Sequence, residues 1–184
     1  MICESWPWRE ELLHVAERLA ARCTQQRWTE RSAFLLERDI MVSAYAIRKL
    51  CEALKLSTAF NTQDVPLTEY SLRGSAPDQQ NWHNLDRFYD FENAHEVTVK
   101  PMELCNQIIH SRVFMRCTVA DGHGLDGIFV SSDRASRKCL YFVKVDTLVG
   151  LFRQAGEEDV ISLSMVRDKK GDWEVTEALA APRV

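Results

Sequence analysis

From Trp6 to Cys23 the apolar residues Leu12, Ala16, Leu19 and Cys23 recur at three- and four-residue spacing, which gathers them on one stripe of a helix. Ser5 stands at a cap position ahead of Pro7, Glu10 and Glu11, so the spacing predicts a first helix running to about Gln26. A longer helix is predicted from Thr29. Leu36, Ile40, Ala44, Ile47, Cys51 and Leu54 keep helical spacing, and Phe34, Met41 and Tyr45 widen the apolar face. A face that wide predicts more than one neighbour, within the chain or across a dimer. Between residues 57 and 81 no period survives: Asn61, Asp64-Val65-Pro66 and Gly74-Ser75-Ala76-Pro77-Asp78 are turn and breaker signals, and an irregular excursion is expected, a linker or a functional loop. Trp82 to Phe91 is dense in aromatics. It predicts a short helix packing Trp82, Leu85, Phe88 and Tyr89 onto the preceding helices.

Val99 to Phe114 reads as a further helix. Pro101 suits a first turn and Glu103 complements the positive end of the helix dipole. Leu104, Ile108 and Ile109 mark a buried face, leaving Asn106 and His110, four apart, side by side on another. After Phe114 the period falls to two. Phe114 to Val119 and Gly127 to Ser131 read as strands around the turn Asp121 to Gly124, and Lys138 to Val145 as a third strand. Asp146 then caps a short helix closed by Gly156, and Val160 to Val166 with Trp173 to Thr176 form a last hairpin. The fold class expected is α+β: an N-terminal antiparallel helical bundle over residues 1–115, interrupted by the excursion 57–81, followed over 116–184 by a small antiparallel sheet with one short helix.

Composition narrows the function classes. The 184 residues carry a net charge of −4 and are 46% hydrophobic and 27% charged, the make-up of a globular protein with no global attraction to nucleic acid or anionic membrane. The apolar runs fall well short of the roughly 20 residues a membrane helix needs, and the N-terminus does not read as a signal peptide. A cytoplasmic protein without membrane contact is expected. The six cysteines, Cys3, Cys23, Cys51, Cys105, Cys117 and Cys139, show no CxxC pair and are expected to be reduced thiols used as small hydrophobes. His83, His95 and His123 have no partners at ligand spacing, so neither a metal site nor a cofactor is expected. Elbow, phosphate-loop and zinc-deaminase motifs do not occur. Arg134, Arg137, Lys138, Lys144, Arg167, Lys169 and Lys170 make the C-terminal sheet the basic part of the chain.

The run Leu104-Cys105-Asn106-Gln107-Ile108-Ile109-His110, preceded by long helices, resembles the signature of the HEPN superfamily of four-helix-bundle proteins. In that family an Arg, usually followed by Asn, precedes a His by four to six residues. Asn106 and His110 match; Cys105 stands where the Arg belongs. The resemblance implies a homodimer in which two motif helices meet, a setting in bacterial defence or toxin–antitoxin systems, and in active members a metal-independent RNase. His would move protons at the ribose hydroxyl and the leaving oxygen, and Arg would stabilise phosphate charge. Cys105 supplies no fixed cation. The expected function is therefore a catalytically impaired interaction or RNA-binding module. Catalytic candidates are His110 and Asn106. Arg112 and Arg116 are candidate replacements for the missing cation, and Glu37 is a candidate acid, because some members of the resembled family place an acidic residue on this helix. Two alternatives stand beside it: an active RNase using His110, and a structural subunit docking a protein partner through Trp82–Phe91 or the basic sheet.

Overall fold

A computed structural model describes residues 4–120 and 122–182; Cys3 and Asp121 fall outside the described residues. The apolar stripes form helices where expected. α1 (Trp6–Arg22) buries Leu12, Val15, Ala16 and Leu19. It stops four residues short of Gln26, and the Ser5 side chain makes no capping bond. α2 (Glu30–Glu52) starts from a reciprocal cap in which Thr29 Oγ1 accepts from the Ser32 N–H at 3.1 Å and Ser32 Oγ accepts from the Thr29 N–H at 2.8 Å. Leu54 lies beyond its end with φ 58, a left-handed turn that removes this residue from the expected stripe.

The segment 57–81 is not an irregular excursion. It holds α3 (Thr58–Thr62) and β1 (Val65–Leu72), and β1 lies inside a five-stranded antiparallel sheet ordered β2-β1-β5-β4-β3. The other strands are β2 (Tyr89–Val99), β3 (Ser111–Thr118), β4 (Leu125–Ser132) and β5 (Cys139–Lys144). The sheet therefore draws two strands from before residue 100 and three from after residue 110. Between them α5 (Pro101–Ile109) forms as the Pro101 signal predicts. After β5 come α6 (Val145–Glu157) and the hairpin β6 (Glu158–Arg167) and β7 (Trp173–Pro182), which pair only with each other. The molecule is α+β.

One face of the sheet meets the helices. Val65, Leu67, Val99, Ile128, Val130 and Val143 share a core with the buried stripes of α1, α2, α5 and α6. α1 packs chiefly against α6, and α2 against α5. The expected helix over Trp82–Phe91 shrinks to α4 (Leu85–Phe88). Its residues Leu85 and Phe88, with Tyr89 and half-buried Trp82, pack on the opposite face of the sheet over Val113 and Leu140 rather than on the helices. Tyr89, which opens β2, is fastened there by its hydroxyl, which donates to the Ser136 carbonyl at 3.0 Å. Across the same face run Tyr70, Phe91, Phe129 and Phe142, with successive ring centroids 4.6 to 5.6 Å apart. Gly127 makes room for the neighbouring backbone and for the last ring: a Cβ there would overlap the Val143 carbonyl oxygen and lie 2.7 Å from the Phe142 ring.

Candidate functional site

α5 sorts its residues by face. Leu104, Cys105 and Ile108 turn into the core, while Glu103 stays exposed and Asn106 and Gln107 are half-buried. His110 is not on the helix but at its C-cap, where its N–H donates to the Asn106 carbonyl at 3.1 Å. The end of β4 is fastened to the same corner. The Asp133 N–H donates to the His110 carbonyl at 3.0 Å, and the Ser132 N–H donates to Gln107 Oε1 at 3.0 Å.

These contacts enclose a pocket of about 500 Å³ lined by Arg48, Glu103, Asn106, Gln107, His110, Ser132, Asp133 and Arg134. Asn106 and His110 are thus brought together as the spacing predicts. Arg48, which the sequence did not single out, comes from α2 and places Nη1 3.4 Å from His110 Nε2. A guanidinium only donates, so this contact draws on the Nε2 lone pair. Arg48 Nε also donates to Glu52 at 2.9 Å, and Lys49 holds the other Glu52 oxygen at 2.6 Å. Those two cations, Lys49 first, pull the Glu52 carboxyl below its usual range. Asp133 is likewise engaged, by Arg112 Nε at 2.5 Å. Arg134 forms no ion pair among the described residues. Asn106 Oδ1 is buried without a hydrogen-bond partner. Two guanidiniums, an imidazole and a carboxamide share the open cavity with the carboxylates of Glu103 and Asp133, so the donors an anion could use are those of Arg48, His110 and Arg134.

The other candidates lie elsewhere. Arg112 lines the adjoining pocket with Gln79, Trp82, Ser111 and Asp133. Arg116 on β3 sits over the Trp28 ring, its Cζ 5.1 Å from the centroid. Glu37 is exposed on α2; the buried acid of that helix is Asp39, held by Arg18 Nε at 3.0 Å and Arg38 Nη2 at 2.6 Å. Burial works against the Asp39 charge, but these hydrogen bonds outweigh it and hold the carboxyl below its usual range. Cys105 is 1% exposed, and burial pushes its thiol far up; it is neutral and lines no part of the pocket. The basic residues of the C-terminal half divide between two sheets. Arg134, Arg137, Lys138 and Lys144 stand on or beside the five-stranded sheet, and Arg167, Lys169 and Lys170 at the tip of the separate hairpin.

Among the described residues no group of three His, Cys, Asp or Glu side chains is placed to hold a metal ion, and no helix is long and apolar enough to cross a membrane. Comparison of the chain with protein-family models, with curated proteins and with solved structures found no match.

Proposed function

We propose that the chain is an HEPN-like RNA-binding module in which the His110 pocket takes a backbone phosphate without cleaving it. The observation carrying this reading is the 3.4 Å approach of Arg48 to His110. The cation that Cys105 cannot supply comes from the neighbouring helix, and Arg134 adds a second at the same pocket. α1, α2, α5 and α6, which share one core, would be the four helices of the HEPN-like unit. The reading includes the homodimer and the defence or toxin–antitoxin setting that go with the resemblance.

Binding is favoured over turnover by how the proton carriers are engaged. Cleavage of a ribose phosphodiester needs a base at the 2′-hydroxyl and an acid at the leaving oxygen, and of the pocket's His110, Asp133 and Glu103 the first is already engaged by Arg48 and the second by Arg112. A second reading, an active metal-independent endoribonuclease, draws on the same Arg48 contact, because the guanidinium would stabilise charge on the phosphate during transfer.

One experiment addresses both readings. The chain and its Arg48→Ala and His110→Ala variants are incubated with a single-stranded RNA pool and scored for retention and for cleavage. Retention that weakens in both variants without cleavage supports the binding module. Cleavage lost in His110→Ala supports the enzyme, and RNA neither retained nor cut by the parent chain would sink both.

A further inference from the structure

The β6–β7 hairpin is anchored at its root and along β7. At the root the Ser57 N–H and Oγ donate to Glu158 at 2.8 Å each and Arg9 Nη1 donates to Asp159 at 2.6 Å, and midway along the arm the Ala178 N–H, opposite Leu163, donates to Thr58 Oγ1 at 2.8 Å. Beyond the root the arm leaves Ile161, Leu163, Met165, Val166, Trp173 and Leu179 exposed, Ile161 at 69% and Trp173 at 60%. A two-stranded ribbon exposed on both faces is marginal in water; three or more strands are the usual minimum. Its two edges are not equivalent. α3 covers β7 near Ala178, whereas the outer edge of β6 has no strand beside it. An open apolar edge of this kind is a template for another strand.

The order of residues along β6 identifies that strand. Read outward from Leu163, the chain is the same in character in both directions: Ser162 and Ser164, Ile161 and Met165, Val160 and Val166, then Asp159 and Arg167, opposite in charge. The pairing with β7 slips at Ile161 and again after Ser164, which divides β6 into three regular stretches of equal length, and Leu163 stands at the centre of the middle one. A two-fold axis demands such a self-complementary surface, since residue i meets j and j meets i. We propose that β6 pairs antiparallel with β6 of a second copy of this chain across a two-fold axis at Leu163, joining two hairpins into a four-stranded sheet. Leu163 then faces itself, Ile161 faces Met165 of the second copy, and Asp159, already bonded to Arg9, also meets Arg167 of that copy. Apolar side chains that water now surrounds become cross-strand neighbours. This interface differs from the meeting of motif helices that the resemblance implies. It uses neither His110 nor Arg48, so its failure and that of the RNA reading are separable.

Two measurements test it on the full chain. Size-exclusion chromatography with light scattering should show the parent assembly lose at least half its mass in Leu163→Lys, from a tetramer or larger to a dimer where the motif helices also pair and from a dimer to a monomer where they do not, with unchanged circular dichroism. A monomeric parent at its highest soluble concentration overturns the proposal. Mild oxidation of cysteine variants then reads the register, against the parent chain as baseline. Residues facing each other across antiparallel strands have Cα atoms close enough for a disulfide. Leu163→Cys should therefore crosslink by itself, about tenfold faster than Trp173→Cys on the far strand. Ile161→Cys and Met165→Cys should crosslink mainly when mixed. Equal crosslinking at 163 and 173, or none at 163, overturns the pairing.

Discussion

Arg48 meets His110 because α2 lies alongside α5, so the pair is a product of packing rather than of spacing. If a phosphate sits between them, Arg48→Ala removes one counterion-releasing contact. The slope of log affinity against log salt for single-stranded RNA should then fall by about 0.7, as measured by fluorescence anisotropy over a salt series. Cys105 leads to a sharper prediction. Placing the resembled family's arginine there, Cys105→Arg, puts a charge into a site 1% exposed among Leu104, Ile108 and the α2 stripe. It should cost about 3–5 kcal/mol, read as a fall in the denaturation midpoint, and bring no RNase activity. Asn106 and His110 were legible because a helix period projects residues four apart onto one side. Arg48 was not, because its reach depends on which helix becomes the neighbour of α5. The buried acid of α2, Asp39, was within reach of the helix period, since it stands three after Leu36 and four before Ser43, both buried, whereas Glu37 falls on the exposed side.

At the level of elements, α1, α2, α5 and α6 were legible, whereas α3 and two of the five strands of the sheet, β1 and β2, were not. α2 carries both its stripe and its cap in the sequence. Thr29→Ala should lower stability by about 1 kcal/mol through loss of the bond to the Ser32 N–H, measurable by urea denaturation with an unchanged slope. β1 was hidden for two physical reasons. Both of its faces are covered, so its apolar positions switch parity along the strand: Val65 and Leu67 face the helices, whereas Tyr70 and Leu72 face the aromatic cluster on the other side. It also contains Pro66, which argues against an interior strand. Pro66 is tolerated because β5 pairs with β1 only over Thr68–Ser71, leaving that side of Pro66 without a ladder partner. β2 escaped notice because residues 92–96 are exposed and polar, as suits an edge strand.

For the molecule as a whole, the charged groups joining α1 to α2 set a pH dependence. The Asp39 carboxyl lies below its usual range in the fold, so it contributes stability at neutral pH. That contribution persists down to the ordinary carboxylate pKa of roughly 4 and is lost as pH falls further, through the folded value. Asp39→Asn should lower the melting temperature at neutral pH and flatten its decline below about pH 4. Exposed pairs such as Lys100 with Asp64 should add little to that decline. A melting temperature that falls equally in both proteins would assign the acid sensitivity elsewhere.

The pairing of α1 with α6 has a consequence for synthesis. α1 leaves the ribosome well before α6, the helix that covers it, which comes more than a hundred residues later, with Gly156 so close that a Cβ would lie 2.7 Å from Leu13. At roughly 5–20 residues per second, the stripe Leu12, Val15, Ala16 and Leu19 waits on the order of ten seconds for its cover. A nascent chain halted before Val145 should therefore be trapped by chaperones and cut rapidly by protease, and gain protection only once α6 has emerged. Pulse proteolysis of stalled chains of increasing length would locate that step.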